Sequence, residues 1–225
     1  MITCGIASVP QREASLQKVL ESLYNQVDII FLSLNGYKNI AKPLFLEKMT
    51  KVIVILNKSL LGAEMKFAMA DRATDGYYVS WDDDIVPRDG LIRYMVEKCD
   101  KYHAICSLCG KRYDGETPIP SYRKSMTLNV HALKRWDADC MVDVGGSGAM
   151  VFRTAEFHIS LQDFKYKNMA DIQLSYQAWK QGVNIIALAH AESDLKYIKP
   201  PKGTTIWEQS VNDFRQTEIL NSFIK

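Results

Sequence analysis

Short apolar runs rich in β-branched residues recur along the first half of the chain and predict buried β-strands. They are ITCGIAS, DIIFLSL, KVIVIL, YYVSW and HAICSL. Between most of them, apolar residues repeat at three- and four-residue spacing, which predicts amphipathic helices over residues 12–25, 62–74 and 88–101. Strands that alternate with helices of this length are typical of βαβ units and of a mostly parallel sheet covered on both faces.

The pattern changes after about residue 110. Residues 110–148 are rich in Gly, Pro, Tyr, Arg and Asp and show little periodicity. So long an irregular stretch inside a compact domain is usually functional or disordered. Helical and strand patterns return over residues 154–181 and 183–189. We expect one domain over the whole chain, divided into a first half, a second half and a C-terminal helix at residues 1–110, 111–200 and 201–225.

The composition is that of an ordinary globular protein, with 225 residues of which 47% are apolar. A net charge of +2 does not favour binding to nucleic acid or to a membrane by overall charge. No apolar run approaches the roughly 18–20 residues that cross a bilayer. The start MITCGIASVPQR has no basic segment before its apolar run, so we expect no secretory signal and a cytoplasmic protein.

Five cysteines, an odd number, are expected to be reduced thiols in such a compartment. Cys106 and Cys109 form a single CxxC on a predicted strand, where positions three apart face opposite sides of the sheet. Because no second pair of ligands accompanies them, a zinc or redox site is disfavoured.

The fourth predicted strand ends in three consecutive acidic residues. Residues 77–87 read YYVSWDDDIVP, which places Asp82, Asp83 and Asp84 where a buried strand reaches the surface. Ligands of an open parallel sheet bind beyond the carboxyl ends of its strands. Asp82 and Asp84 point the same way if the extended conformation continues, and such carboxylates repel each other unless a cation compensates. Oxygen ligands of this kind suit Mg²⁺ or Mn²⁺, so the triplet predicts a metal site.

A helix cap is the alternative explanation of the acidic triplet. The next predicted helix begins near Pro87 and Arg88, so Ile85 and Val86 separate it from the three acids. Asp89 already lies in its first turn and complements the helix dipole. A cap therefore explains the triplet poorly, and we favour the metal site.

The segment YYVSWDDDIVP resembles the DxD segment of nucleotide-sugar glycosyltransferases of the GT-A fold, most of all the inverting family 2. Further pieces that are similar to that family, in its order and over most of the chain, are ITCGIASVPQREASLQKVLESLYNQ, DIIFLSLNGY, NKSLLGAEMKFAMADRATDGYYVSW, GGSGAMVFR and DIQLSYQAWKQG. The resemblance implies an α/β GT-A fold: a Rossmann-like, mostly parallel central sheet flanked by helices, with a smaller acceptor-side β region. The QxxRW sequence of the family's processive synthases is absent, which implies transfer of a single sugar.

The resemblance also implies a donor site at the ends of the first strands. Asn35 stands where the family usually has an acid that contacts uracil, which leaves the nucleotide base open. Arg12 also fits a surface residue at a helix N-terminus, and Lys66 also fits a solvated helix lysine. The residues that match the nucleotide- and donor-binding positions are Ala7, Ser8, Pro10, Arg12, Asn35, Asn57, Gly62, Lys66, Asp82 and Asp83.

The remaining site residues implied by the resemblance concern the metal, the base and the acceptor. Asp84 matches the acid that contacts the metal, and His190 matches a region that often supplies another ligand, although it also fits a structural histidine. Asp171 matches the general base of an inverting transfer. It also fits an acid at a helix N-terminus, and Ala170 replaces the acid that commonly precedes it. The glycines on the acceptor side are Gly145, Gly146 and Gly148.

We therefore expect a glycosyltransferase that moves one sugar from a nucleotide diphosphate donor, UDP above all, to a hydroxyl with inversion and with Mn²⁺ or Mg²⁺. The alternatives are a nucleotidyltransferase that makes sugar nucleotides, or an idle binding subunit of the same fold. The implied acceptor is a glycan or a lipid-linked glycan, as in polysaccharide biosynthesis. Peripheral membrane association and a homodimer through the C-terminal helix stay open, and no nucleic-acid partner is expected.

Overall fold

A computed structural model describes residues 1–38, 40–73, 75–115, 117–205 and 213–224. Its strands are β1 (Ile2–Ser8), β2 (Ile29–Asn35), β3 (Val52–Asn57), β4 (Tyr77–Asp82), β5 (Ile85–Pro87), β6 (Ile105–Ser107), β7 (Gly110–Arg112), β8 (Leu128–Val130), β9 (Cys140–Val142), β10 (Val144–Gly145), β11 (Ala149–Arg153), β12 (Ile185–Ala187) and β13 (Leu195–Tyr197). The α-helices are α1 (Glu13–Leu23), α2 (Leu91–Tyr102), α3 (Ala170–Lys180) and α4 (Asp213–Asn221).

The central sheet has eight strands in the order β3-β2-β1-β4-β11-β6-β12-β9. Strands β1 to β4 pair in parallel, as do β6 and β12, whereas β11 is antiparallel to both β4 and β6. Strand β9 is antiparallel to β12. Six of the eight strands thus run in one direction. The predicted mostly parallel α/β sheet is confirmed.

Helices cover both faces of this sheet. Helix α1 buries Leu16, Val19, Leu20 and Leu23 in the same apolar cluster as α2, as the spacing predicts. Each fully buried leucine contributes about 1.5–3 kcal/mol of burial free energy. Helix α3 packs in a second cluster with side chains such as Phe152. Two separate apolar layers therefore hold the sheet in place and leave its carboxyl edge open for a ligand.

The prediction of an amphipathic α-helix over residues 62–74 is wrong. Two short 3₁₀ helices, Ala63–Phe67 and Ala70–Arg72, occupy this stretch instead. Side chains from the sheet take the carbonyls that a continuous α-helix would use. The hydroxyl of Ser33 donates to the carbonyl of Met65 at 2.9 Å, and that of Tyr78 donates to the carbonyl of Lys66 at 2.5 Å.

The stretch over residues 110–148 contains more regular structure than its sequence pattern suggests. It supplies β7, β8 and β10, which form a separate three-stranded sheet, and β9 at the edge of the central sheet. These strands are only two or three residues long, too short for periodicity to reveal. Strands β7, β8 and β10 form a smaller β region beside the central sheet, and its role on the acceptor side stays a prediction.

Only part of the predicted C-terminal helix lies within the described residues. Helix α4 begins at Asp213, and residues 206–212 of the predicted helix lie outside the described ranges. Leu220 and Phe223 are buried in a third apolar cluster that includes residues of α3. The homodimer through this helix stays a prediction. Within the described ranges, no helix has the length and apolar character required to span a bilayer.

Candidate functional site

A cavity of about 1250 Å³ lies beyond the carboxyl ends of β1, β2 and β4. This is where parallel strands of an open sheet deliver their ligand-binding residues. The predicted site residues that line it are Ala7, Ser8, Arg12, Asn35, Gly62, Lys66, Asp82, Asp83, Asp84, Gly146 and Asp171. The predicted site residues outside its lining are Pro10, Asn57, Gly145, Gly148 and His190.

The three consecutive aspartates have three different environments. The side chain of Asp82 is 40% exposed at the end of β4, whereas Asp83 and Asp84 are buried. Asp83 faces the loop after β1 and accepts hydrogen bonds from the hydroxyl of Ser8 at 2.5 Å and from Nη1 of Arg12 at 2.7 Å. Asp82 and Asp84 therefore remain as the two carboxylates turned to the cavity. Helix α2 begins only at Leu91, so the triplet does not cap it.

Arg12 ties the acidic residues to the far end of the chain. Its Nη1 lies 3.3 Å from Oδ2 of Asp84 as well as contacting Asp83, and its Nη2 donates to the carbonyl of Thr204 at 2.9 Å. Its side chain is only 13% exposed. Arg12 is thus a buried bridge and not the surface residue that its helix-terminal position also suggested.

Lys66 is buried under the cavity floor and forms an ion pair with Asp82. Burial alone would lower the pKa of the Lys66 ammonium, but the charge and hydrogen bond of Asp82 outweigh burial, and the net pKa is raised. Asp171 also acts in this direction. Lys66 is therefore a fixed positive charge between the acidic triplet and Asp171. The alternative of a solvated helix lysine does not describe it.

Burial and neighbouring carboxylates perturb the pKa of Asp84. Burial, followed by the charges of Asp82 and Asp83, raises the pKa of Asp84 to about 7, against the lowering effect of Arg12 and Lys66. The negative charge at this corner is therefore incompletely balanced. Within the described residues, Lys66 is the hydrogen-bond donor to the carboxylate of Asp82, and Arg12 is the donor to the carboxylate of Asp84.

Asp82 and Asp84 fit a divalent cation that keeps open positions. Mg²⁺ and Mn²⁺ are commonly held by one or two carboxylates, with waters and substrate phosphates as the other ligands. No group of three His, Cys, Asp or Glu side chains suited to a metal occurs among the described residues. The donor set therefore suits a cation shared with a ligand and does not suit a closed structural metal site.

We expect the protein without ligands to lose stability as the pH rises from about 4 to about 7. An unfolded aspartate has a pKa near 3.9, whereas burial and its acidic neighbours raise the pKa of Asp84 to about 7. Between these values the folded state binds more protons than the unfolded state, so a rising pH favours unfolding. Burial raises the pKa of Asp83 as well, which acts in the same direction. Urea denaturation across this range measures the effect.

The Asp84→Asn variant tests this pH dependence because it keeps the side-chain shape and removes the titrating group. Its stability should change less with pH than that of the wild type. Asp89→Asn is the matched control, since Asp89 is exposed and lies outside the cavity lining. An Asp84→Asn protein with the wild-type pH dependence would contradict the assignment.

Asp171 lies in the first turn of α3 and is held by a residue that sequence reasoning missed. Its Oδ1 accepts hydrogen bonds from the backbone N of Ser147 at 2.8 Å and from the hydroxyl of Ser147 at 2.6 Å. The carbonyl of Ser147 accepts from the hydroxyl of Ser80 on β4 at 2.6 Å. Since both bonds from Ser147 use Oδ1, Oδ2 of Asp171 remains for the cavity.

The glycines around Ser147 allow close packing against Asp82 and Cys109. The backbone N of Asp82 donates to the carbonyl of Gly148 at 2.9 Å. A Cβ atom at Gly148 would collide with the Asp82 carboxylate, and one at Gly146 would collide with Sγ of Cys109. The sequence signal for Ser147 was its place between these glycines, at a turn that enters β11.

Asn35 and Asn57 form a pair at the ends of β2 and β3. Nδ2 of Asn57 donates to Oδ1 of Asn35 at 3.1 Å, and Nδ2 of Asn35 lies 3.4 Å from the carbonyl of Gly62. Asn35 is buried and lines the cavity. Asn35 is therefore a polar group of the cavity lining and Asn57 is not, and the contact of Asn35 with a nucleotide base stays a prediction.

His190 is placed away from the acidic triplet. It is buried, with Nδ1 at 2.7 Å from the carbonyl of Leu188 and Nε2 at 3.3 Å from the carbonyl of His131. Its backbone also pairs with Trp136. Because both ring nitrogens face backbone carbonyls and the residue is outside the cavity lining, we do not include it among the proposed metal ligands.

Several further residues line the cavity. Cys109 faces the cavity, but burial raises the pKa of its thiol to about 12, so it is protonated at neutral pH. Tyr122 lines the cavity under Lys111, whose Nζ lies 3.9 Å from the ring centroid. Other basic residues of the lining, which are spread over distant parts of the chain, are Arg123, Lys167, Lys199 and Lys202.

The comparisons with known proteins bear on the fold. No protein-family model matches the sequence, and no curated protein is significantly similar to it. The chain is similar to a crystal structure of S. aureus TarS 1-349 in complex with UDP-GlcNAc, with a TM-score of 0.51 and 12% identity over 99% of this chain and 70% of that chain. The fold is glycosyltransferase-like.

Two further solved structures are similar at lower TM-scores. A crystal structure of S. aureus TarS 1-349 has a TM-score of 0.46 and 10% identity, over 83% of this chain and 57% of that chain. A197 from STIV has a TM-score of 0.44 and 14% identity, over 88% of this chain and 86% of that chain. At 12% identity, the likeness to TarS in complex with UDP-GlcNAc shows the fold alone, and function has to be argued from the site.

Proposed function

We propose that the protein is a glycosyltransferase that moves one sugar from a nucleotide diphosphate sugar to a hydroxyl acceptor with inversion. UDP is the favoured nucleotide, since the TarS structure of similar fold holds UDP-GlcNAc. The proposed acceptor is a glycan or a lipid-linked glycan. One observation carries the proposal. The acidic triplet and Asp171 line the same cavity, although Asp84 and Asp171 are 87 residues apart in the sequence.

The donor side of the proposed site is the corner formed by β1, β2 and β4. The nucleotide base would lie against Asn35, whose amide can both donate and accept hydrogen bonds. The diphosphate would lie near Asp82 and Asp84, where a cation is needed to balance the carboxylates. Arg12 and Lys66 hold these carboxylates in place from behind.

Asp82 and Asp84 are the residues proposed to hold Mn²⁺ or Mg²⁺. When bound there, the ion supplies Lewis-acid stabilisation of the charge on the departing diphosphate. Asp83 is excluded from this role because Ser8 and Arg12 already occupy its carboxylate. The metal dependence rests on the donor set and on the raised pKa of Asp84, which a cation would lower.

Asp171 is the proposed general base. In an inverting transfer, the acceptor oxygen forms a bond to the anomeric carbon as the bond from that carbon to the phosphate oxygen breaks. The electron pair of the broken bond stays on the diphosphate, and the acceptor proton passes to a base on the opposite side of the sugar. The remaining oxygen of Asp171, Oδ2, is available for this proton because Ser147 holds Oδ1.

Calorimetry with UDP, GDP and CMP, each with and without Mn²⁺, tests the proposed donor site. We expect UDP to bind more tightly with Mn²⁺ by more than about tenfold, which is about 1.4 kcal/mol of added interaction. Asp84→Asn should remove this enhancement, because only one of the two carboxylates then remains. Asp89→Asn, an exposed acid five residues further along the chain, should keep it.

Two results would count against the proposal. Tight binding of a nucleoside triphosphate with release of pyrophosphate would favour the nucleotidyltransferase alternative, although the loop SVPQRE after β1 lacks the glycines typical of such enzymes. If Mn²⁺ does not change the affinity for nucleoside diphosphates in either the wild type or Asp84→Asn, the proposed metal site is contradicted.

A further inference from the structure

Two chain segments at the edge of the central sheet form a rim that borders the cavity at Leu60 and Leu61. They are residues 36–38 with Ile40, which follow β2, and residues 56–61, which end and follow β3. The backbone N of Gly36 donates to the carbonyl of Ser59 at 2.9 Å, which joins the two segments. We call this rim the β3 lip. Because β3 is the outermost strand, nothing in the sheet lies beyond the lip.

The β3 lip exposes large aliphatic side chains. Ile40, Leu56, Leu60 and Leu61 are between 38% and 59% exposed. Leu60 and Leu61 also line the cavity, so the apolar surface continues into its mouth. Among the described residues, twelve large hydrophobic side chains are exposed, and four of them belong to the lip. Such a concentration marks an interaction surface, whereas single exposed apolar residues are ordinary.

The same region is strongly basic, although the whole chain carries a formal net charge of only +2. Residues 36–62 contain five lysines and one acidic residue, Glu47. Lys51 donates to the carbonyls of Tyr24 and Val27. The other four are exposed and make no ion pair with a described residue; they are Lys38, Lys42, Lys48 and Lys58.

The side chains of the β3 lip fit a lipid surface better than a protein. Protein interfaces are enriched in Tyr, Trp, Phe, Met and Arg, and depleted of Lys. The exposed residues of the lip are leucine, isoleucine and lysine with one serine, Ser59, and residues 36–61 contain no arginine. A second copy of the chain would also bring the lysines of two lips together, and like charges repel. Lysine with aliphatic side chains is the combination that binds anionic lipid.

We propose that the β3 lip docks on an anionic lipid surface. The aliphatic side chains of Ile40, Leu56 and Leu60 enter the boundary between headgroups and acyl chains. Lys38 and Lys58 contact lipid phosphates. Because Leu60 and Leu61 belong to both the lip and the cavity lining, docking turns the mouth of the cavity to the lipid. This inference goes beyond the proposed function and holds whether or not a sugar is transferred.

Co-sedimentation of the full chain with lipid vesicles tests the proposal. We expect binding to vesicles of phosphatidylglycerol and phosphatidylcholine, weaker binding to phosphatidylcholine alone, and a loss of affinity at high salt. Neutralising two lysines of the lip, in the double variant Lys38→Gln/Lys58→Gln, should weaken binding about 30-fold. Leu56→Gln should weaken it as well, because the exposed aliphatic contact is lost.

Met141→Gln is the matched control for Leu56→Gln. Both residues lie on edge strands of the central sheet and both are 56% exposed, but Met141 is on β9 at the opposite edge. Unchanged thermal unfolding of each variant shows that the fold is intact. The proposal is overturned if vesicles containing phosphatidylglycerol are not bound, or if Met141→Gln weakens binding as much as Leu56→Gln. It is also overturned if the lip variants instead abolish a dimer detected by ultracentrifugation.

The vesicle assay and the nucleotide calorimetry test the two proposals separately, so either proposal can be rejected without the other. Vesicle binding without nucleotide binding would reject the proposed transferase and keep the docking surface. Nucleotide binding that depends on Mn²⁺, in a protein that ignores anionic vesicles, would do the opposite.

Discussion

Replacing Asp171 with asparagine should lower turnover by about 10²–10⁴-fold, the usual contribution of a general base. The change removes the proton acceptor but keeps the geometry, because the amide oxygen of asparagine can still accept both hydrogen bonds from Ser147. UDP affinity should stay near the wild-type value, since the proposed donor corner is formed by β1, β2 and β4, whereas Asp171 lies on α3. Sugar transfer is measured as UDP release, and affinity by calorimetry.

Ser147→Ala provides a graded comparison for Asp171→Asn. It removes the hydroxyl that donates to Oδ1 of Asp171 and leaves the backbone donor in place. A hydrogen bond to a charged group contributes about 1.5–3 kcal/mol, so turnover should fall by roughly 10–100-fold. If Asp171→Asn retains full turnover with normal donor binding, the base lies elsewhere.

Replacing Arg12 with methionine should destabilise the protein by about 3–5 kcal/mol at pH 7, because it leaves a buried charge without its partner. Asp83 is only 2% exposed, and Arg12 and Ser8 are its hydrogen-bond donors. Arg12→Met also removes the bond to the carbonyl of Thr204. Urea denaturation measures the free energy of unfolding. The loss should shrink as the pH falls, since Asp83 can then be protonated and needs no counterion.

Arg135→Met is the control for this experiment. Arg135 also pairs with an aspartate, Asp137, but both side chains are 74% exposed. Exposed pairs contribute only about 0–1 kcal/mol, so this variant should unfold close to the wild type. The Arg12–Asp83 pair contributes little stability if Arg12→Met lowers the free energy of unfolding no more than Arg135→Met does. The same conclusion follows if the decrease for Arg12→Met is equal at every pH.

The sequence predicted the first half of the sheet well because each strand there is a clear apolar run. It also placed Asp82 and Asp84 at the correct edge, since parallel strands linked by crossovers must end together. It did not reveal that β11 runs antiparallel between β4 and β6, because periodicity carries no information on direction. The strands within residues 110–148 gave no signal either, because two or three residues are too few to show a periodicity.

Lys66 shows why the environment of a site residue is harder to predict than its location. Its position near the acidic triplet was expected, but its ion pair with Asp82 depends on the break in the predicted helix. One signal was present in the sequence. Gly5 interrupts the apolar residues of β1, and a Cβ atom there would collide with the carbonyl of Lys66 and the hydroxyl of Tyr78. An isolated glycine in a strand often marks such a close backbone approach.

The antiparallel strand β11 determines how far apart the two halves of the cavity stand. Since β11 starts at the edge where β4 ends, the turn at Ser147 and Gly148 arrives directly beside Asp82. Five residue pairs fix the register of the two strands. The spacing between Asp82 and Asp171 is therefore set by strand pairing within the central sheet. Loops on either side can change without altering that span.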